Sequence, residues 1–394
     1  MSSTNICLLG LVLGFSLVVS GGCDRKVEGS KRTQQEGAGR PLDANFICWG
    51  ALTKDESRLP TEFPAPEGEY FGTRGPVCDM VGGKAFCFGN RAGDFGGATE
   101  RTEFGKASGF RQVAFGLGHT CGLREDGTVK CWGRNLVGEL GIGEPETDET
   151  DRDEKTVELK LEDGKSETKL PKGSATAAEG DVTGLDNVVE VALGASHGCA
   201  RTSGKEVWCW GSGTNGELGD GEAESRPYPV RVAGIDDAEQ LAVVGSWACV
   251  VRSAGKVACW GTRKASPAAA DEKVVRKSPE TYEDLSGIEQ IVLRANGSSS
   301  HIGFARDESG AVFRFEEPSQ VRKLGALNSI ELLSTGLDHT CGLATKGGVR
   351  CWGSNEKGQL GLEKAYPRGI PRVPGVDGAT RIVSGRFFSC ADTR

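Results

Sequence analysis

Residues 113–143 read VAFGLGHTCGLREDGTVKCWGRNLVGELGIG, with close copies at 191–221, VALGASHGCARTSGKEVWCWGSGTNGELGDG, and at 332–362, LLSTGLDHTCGLATKGGVRCWGSNEKGQLGL. Weaker copies surround Cys78 with Cys87 and Cys249 with Cys259, and a degenerate one covers Ser300 to Phe315. Each copy has short runs of Val, Leu, Trp and Cys divided by Asp-Gly, Gly-Lys or Gly-Gly, the chemistry of antiparallel strands joined by tight turns. Asp126-Gly127 centres a hairpin that sets Leu123 against Val129 and Cys121 against Cys131. Residues directly opposed across a hairpin have β-carbons about 4.5–5.5 Å apart, near enough for a disulfide after slight adjustment. The same reading pairs Cys78 with Cys87, Cys199 with Cys209, Cys249 with Cys259 and Cys341 with Cys351. In the degenerate copy Ile302 and Arg314 are expected at the two cysteine positions, so both cysteines vanish together. Zinc would need four ligands converging on one point. These pairs instead recur one per repeat.

Two half-repeats decide the closure. FICWG (Phe46 to Gly50) has the Cys-Trp-Gly half of a unit, without the cysteine ten residues upstream that the clear copies have. FFSCADTR, at 387–394, has the upstream half with nothing after it. Cys48 and Cys390 are therefore expected to bond, and the joined ends complete a seventh unit. Repeats with several strands each are blade-sized, and radial closure leaves only short, protected sheet edges. The expected fold is all-β: a seven-bladed β-propeller over residues 46–394, closed by pairing of the N- and C-terminal strands and stapled by in-blade disulfides.

At this point the repeats resemble those of the regulator of chromosome condensation family. The pattern His-Thr, Leu, Asp-Gly-x-Val, Trp-Gly-x-Asn-x-x-Gly-Gln-Leu-Gly is carried by HTCGLREDGTVKCWGRNLVGELG and HTCGLATKGGVRCWGSNEKGQLG. Trp247 and Phe388 replace the His, and the Gly-x-Leu-Gly tail is missing after Trp260 and Trp49. The resemblance implies the same seven-bladed propeller. It implies no single activity, because propellers are scaffolds for many functions.

The N-terminus points to export. Leu8 to Val19 is an apolar run too short to span a bilayer and suited to a signal-peptide core, giving a signal over residues 1–22. Small residues then lead to Cys23, which resembles the lipobox cysteine of bacterial lipoproteins; lipidation there would anchor the chain to a membrane surface without spanning it. The alternative is an ordinary cleaved signal with Cys23 incidental, and both readings export the chain. Residues 23–45 are polar and read as a flexible tether, roughly 25 Å as a random coil. The 14 cysteines agree with an oxidising compartment. A lipid-anchored place in the bacterial cell envelope, at the outer membrane or cell surface, is expected.

The chemical inventory is thin. A net charge of -8 argues against nucleic acid, which needs a basic face. His119, His197 and His339 share one repeat position, and His301 is displaced by one. Pro76, Trp247 and Phe388 hold that position elsewhere, so it reads as packing and not as a metal ring. The Trp residues of the triplets, with Trp49, read likewise, and tails such as GELGDG lack the Lys and helix of a phosphate loop. No catalytic, cofactor or metal residue is expected. One insertion stands out, Glu144 to Asp181. Residues 144–154 hold seven carboxylates and one Arg, a net of -6. Val157, Leu159 and Leu161 then alternate before Asp163-Gly164, as in a protruding hairpin. It reads as a solvated loop or as a contact element for a basic partner; calcium lacks the loop spacing it needs.

The function expected is a non-catalytic, envelope-anchored monomer presenting a propeller face to a protein or glycan. The alternative is an inhibitor of a secreted enzyme, since the resembled family includes a propeller that inhibits β-lactamases. A GTPase exchange factor and an enzyme are remoter readings.

Overall fold

The computed structural model describes residues 46–50, 61–63, 69–71, 77–81, 84–91, 95–143, 156–160, 167–171, 178–264, 273–296, 300–363 and 369–393. Cys7, the signal, Cys23 and the tether lie outside the described residues. So do Pro76, the acidic stretch 144–155 and the Asp163-Gly164 turn.

Seven antiparallel sheets follow one another along the chain. Blade 1 holds Glu69–Phe71, Val77–Val81, Lys84–Arg91 and Phe95–Ser108. Blade 2 holds Phe110–Phe115, His119–Arg124, Val129–Gly133 and Ala178–Asp181; blade 3 holds Val188–Leu193, His197–Thr202, Val207–Gly211 and Arg226–Arg231. Blade 4 is made of Ala238–Val244, Trp247–Arg252, Val257–Lys264 and Lys273–Tyr282. Blade 5 is made of Ile288–Asn296, Ser300–Asp307, Val312–Phe315 and Val321–Lys323. Blade 6 has three strands, Ile330–Thr335, His339–Ala344 and Val349–Gly353, with one further bridge from Arg350 to Arg372. Blade 7 joins the two ends: Arg381–Ser384 and Phe388–Asp392 from the C-terminus, Phe46–Gly50 and Thr61–Phe63 from the N-terminus. The first strands of blades 2 to 7 pack in sequence order. This is a β-propeller.

Local chemistry sets each register. Arg124 N donates to Thr128 O across Asp126-Gly127, and Leu123 then faces Val129 while Cys121 faces Cys131. The Asp126 side chain accepts from Thr128 N and Oγ1, which holds its carboxyl below the usual range. Disulfides join Cys78 to Cys87, Cys121 to Cys131, Cys199 to Cys209, Cys249 to Cys259 and Cys341 to Cys351. Cys48 faces Cys390 across blade 7 and is bonded to it, 342 residues apart in sequence. Every one of these sulfurs is shut from solvent.

Two sequence expectations need correction. In blade 5 the residue opposite Arg314 is Phe304, not Ile302. The turn Asp307–Ala311 closes with the same hydrogen bond as Arg124–Thr128, so it fixes the register. The strands Ile288–Asn296 and Ser300–Asp307 are longer than their counterparts in blade 2, and counting from the histidine misplaces the pair. Second, the insertion does not run to Asp181. Ala178–Asp181 is the fourth strand of blade 2, pairing Gly180 with Cys131 and Asp181 with Lys130. The hairpin within the insertion is present, with Val157 opposite Leu170 and Leu159 opposite Thr168.

That boundary makes a prediction. Deleting residues 144–177, with a short Gly-Ser link, is expected to leave the melting temperature nearly unchanged, because surface insertions cost little beyond loop closure. Extending the deletion through Asp181 strips an edge strand and is expected to lower it by several degrees. Calorimetry of the two variants checks both; equal melting points would mean that the fourth strand contributes nothing.

Candidate functional site

The histidine position lies at the start of each second strand. His119 and His339 are fully buried, His197 nearly so, and Trp247 and Phe388 take the same place in blades 4 and 7. A β-carbon at Gly116, Gly194 or Gly336 would collide with the following imidazole, so that glycine leaves room for the ring. His339 Nε2 lies 2.7 Å from Ser389 Oγ of blade 7, which in turn lies 2.9 Å from Ser384 Oγ. Burial pushes the His339 imidazole down, against the opposing pull of Asp338. Burial alone would raise the Asp338 carboxyl, but the His339 imidazole 3.6 Å away and a hydrogen bond from Gln359 outweigh it and hold the group low. Among the described residues no three His, Cys, Asp or Glu side chains converge as a metal set does.

The Gly-x-Leu-Gly tails join neighbouring blades. Trp210 Nε1 of blade 3 donates to Glu139 O in the tail of blade 2, at 3.1 Å. Trp260 of blade 4 does the same to Glu217 O of blade 3, and Trp49 of blade 7 to Gln359 O of blade 6, at 2.9 and 3.0 Å. All three indoles are fully buried. The last glycine of each tail lies flat against the ring: a β-carbon at Gly141 would sit 2.8 Å from Trp210 and one at Gly219 2.7 Å from Trp260. Both glycines have positive φ, so the tail needs glycine twice over. The middle residue folds its side chain back onto the tail, Glu139 accepting from Val137 N and Gln359 from Lys357 N. Thus a tail in one blade serves the Trp of the next.

A second link runs between first strands. Gln112 donates to Val191 O and accepts from Val191 N; Gln240 does so with Ile291, and Gln290 with Leu333. In blade 3 the position is Glu190, which can only accept, here from Leu241 N. Burial pushes its carboxyl up, and Arg201, 2.9 Å away, opposes that. Blade 6 has Leu332 in this place, and Leu337 N to Arg386 O joins blades 6 and 7 instead. Sequence reading missed these bridges, although Gln or Glu before the buried aliphatic in the first strands of blades 2 to 5 is a visible signal.

Blade 5 keeps the Gln290 bridge but has neither a Gly-x-Leu-Gly tail nor a disulfide. Arg294 stands where blades 2, 3 and 6 have the glycine before the His, and it is almost fully buried. Its Nη1 donates to Asp338 O at 2.8 Å, and its guanidinium lies over the Phe304 ring at 5.4 Å. Burial lowers its pKa to about 10. Phe304 meets Trp352 of blade 6 edge-on at 5.3 Å. Aromatic and cation–π packing thus stand where other blades have a disulfide.

What the blades leave outward is an apolar cluster. Connections between first and second strands, and between third and fourth, lie at the same end of a four-stranded antiparallel sheet. At that end of blade 2, Leu117 is 67% exposed, Leu136 40% and Val137 39%; Tyr228 of blade 3 is 47% exposed. Arg134 N donates to Gly118 O, joining the two connections of blade 2. Gly138 abuts Pro227, and Gly143 N donates to Pro227 O, which lays the blade 2 connection along Tyr228.

Comparison with known proteins places the repeats. The model described as the regulator of chromosome condensation (RCC1) repeat matches residues 110–139, 188–217 and 330–359 in one form and 206–251 in another. Protein pim1 of Schizosaccharomyces pombe is 35% identical over 113 residues, 28% of this chain and 18% of pim1. Ultraviolet-B receptor UVR8 of Arabidopsis thaliana is 26% identical over 290 residues, 68% of this chain and 59% of the receptor. The match thus spans less than two thirds of the length of each of these relatives. Among solved structures, human WBSCR16 has a TM-score of 0.62 at 17% identity, covering 88% of this chain and 98% of its own. Yeast RCC1 (Prp20), solved bound to Kap60, has a TM-score of 0.61 at 15% identity, covering 94% and 96%. At such identity the likeness establishes fold alone. Matched in sequence by the repeat models and in architecture by solved propellers, the chain carries regulator of chromosome condensation repeats on a seven-bladed β-propeller.

Proposed function

We propose that the protein is an exported interaction scaffold, held to a bacterial envelope membrane through Cys23 and presenting a propeller face to a protein or glycan. The observation that carries the reading is the stapling: six of seven blades each hold one buried disulfide. Such bonds persist in oxidising compartments. The buried polar side chains described above are occupied in joining blade to blade, which leaves the exposed connections as the surface for recognition. Relatives that share the repeats include a receptor, and one propeller neighbour was solved with a bound protein. Both facts favour a binding role over a catalytic one.

Two measurements test it. Radiolabelled fatty acid is expected to enter the full chain and not its Cys23→Ser variant; equal labelling of both would remove the anchor. Biotinylated full chain is expected to recover a discrete envelope protein or glycan from bacterial envelope extracts. Turnover of a substrate with nothing retained would replace the scaffold by an enzyme.

A further inference from the structure

Trp352 of blade 6 lacks the acceptor that its counterparts have. Trp210, Trp260 and Trp49 each donate to a main-chain carbonyl in the tail of the preceding blade, at 3.1, 2.9 and 3.0 Å. Blade 5 supplies no such tail, and Trp352 Nε1 is buried without a hydrogen-bond partner among the described residues. Two donors nearby are in the same condition, Arg294 Nε and Arg314 Nε. Phe304 joins all three. The Arg294 guanidinium lies over its ring, Trp352 meets it edge-on, and Arg314 stands directly opposite it in the sheet. Buried donors without acceptors are uncommon, because each forfeits the hydrogen bond it had with water.

Charge points to the same kind of partner. Arg322 faces Arg314 across the strands of blade 5, and Arg372 faces Arg350 in blade 6. Like charges directly opposed across a sheet are destabilising. Arg350 lies two residues from Trp352 on one strand and so shares its face of the blade. Its Nη1 donates to Ile370 O, and Ile370 packs in one cluster with Phe304 and Trp352. Both Arg pairs therefore border the cleft between blades 5 and 6. Glu316 answers Arg314, and Asp377 answers Arg372. Among the described residues Arg322 has no partner, while Arg294 and Arg350 donate hydrogen bonds only to carbonyls. Cations gathered in this way, on a chain of net charge -8, fit an anion.

The equivalent indoles of this chain take a peptide carbonyl, and the cations call for carboxylates. We propose that the cleft between blades 5 and 6 binds an acidic peptide segment, with a main-chain carbonyl on Trp352 Nε1 and carboxylates on Arg314, Arg322, Arg350 and Arg372. The inference rests on the scaffold reading and names its surface and partner class. Trp352 and Arg314 are each partly exposed, so rotation of these side chains opens the buried donors to an entering segment.

The probe is a labelled peptide of alternating Gly and Glu, with Gly/Gln and Gly/Lys peptides as controls, titrated into the full chain by fluorescence anisotropy. The Gly/Glu peptide is expected to bind at least about tenfold more tightly than either control, against the repulsion of the chain's net charge. Arg322→Gln and Arg372→Gln, both at exposed positions, are each expected to weaken it roughly threefold, and the double variant about tenfold. Trp352→Phe keeps an aromatic ring and removes the donor, and is expected to weaken it roughly fivefold. Unchanged binding in the double variant or in Trp352→Phe, or equal binding of the Gly/Gln peptide, overturns the proposal. So does a polyuronate oligosaccharide that binds more tightly than the peptide, because the cleft then belongs to a glycan. If the double variant still recovers the same envelope partner as the wild type, the scaffold reading stands and this surface fails. If the wild type binds the Gly/Glu peptide but recovers nothing from envelope extracts, this surface stands and the scaffold reading fails.

Discussion

Cys390→Ser is expected to lower stability by roughly 5–6 kcal/mol, about twice the loss for Cys341→Ser, although each removes one disulfide. In the chain-entropy model a cross-link stabilises by restricting the unfolded chain, and the gain grows with the logarithm of the loop. Cys341 and Cys351 are 10 residues apart, which gives roughly 2.5–3 kcal/mol. Cys48 and Cys390 are 342 apart, which gives the larger figure. Position adds to length. Blade 7 is the one sheet built from both ends of the chain, with five residue pairs between Phe46–Gly50 and Phe388–Asp392. Separation there opens the seam, while loss of Cys341–Cys351 leaves a local hairpin whose turn still closes. Denaturation of both variants under non-reducing conditions checks the order, and Cys341→Ser proving the more damaging would refute the seam argument. Peptide mapping is the direct companion: Cys48 recovered free, or linked to any cysteine but Cys390, breaks the closure.

Trp210→Ala is expected to cost about 3–5 kcal/mol, the usual range for emptying a fully buried aromatic site. The indole packs with Leu140, Val182 and Leu185 of the neighbouring blade, so the cavity opens between blades and not within one. The lost indole also leaves Glu139 O without its donor. Trp210→Phe separates the two effects, keeping most of the packing and removing only the hydrogen bond, at about 1–2 kcal/mol. Trp352 is the natural comparison. It follows blade 5, which has no Gly-x-Leu-Gly tail; it is half-buried, and its Nε1 has no hydrogen-bond partner among the described residues. Trp352→Ala is therefore expected to cost clearly less than Trp210→Ala. Equal losses in urea denaturation would show that the tail clamp adds nothing to burial. Gly141→Ala should approach the Trp210→Ala loss from the other side, because its β-carbon would press on the same ring.

How much of this was legible from residues alone follows from how far apart the partners stand. The pairing of Cys121 with Cys131 is written in a single hairpin, where an Asp-Gly turn and period-two alternation leave no other register. The bond from Cys48 to Cys390 was legible for a different reason: two half-repeats at opposite ends have no complement but each other. Where the local signal weakened, the reading slipped. Phe304 was missed because the longer second strand of blade 5 shifts the histidine one residue further from the turn that sets register. Ala178–Asp181 was missed because an edge strand of Ala, Glu, Gly and Asp carries no apolar alternation, and only its partner Val129–Gly133 makes it a strand. The Gly-x-Leu-Gly tails were visible as turns, yet their role was not. The carbonyl of Glu139 and the indole of Trp210 are 71 residues apart. Which blade meets which is decided by the packing of whole sheets, as is the burial of Arg294 against Asp338. The sequence by itself determined the hairpins, their covalent pairs and the number of blades, because these rest on local turns and on a repeat that must close. The tertiary structure alone decided which side chains join one blade to the next, and which apolar ones, such as Leu136 and Tyr228, are left facing water. Packing between sheets depends on surfaces that no single repeat contains.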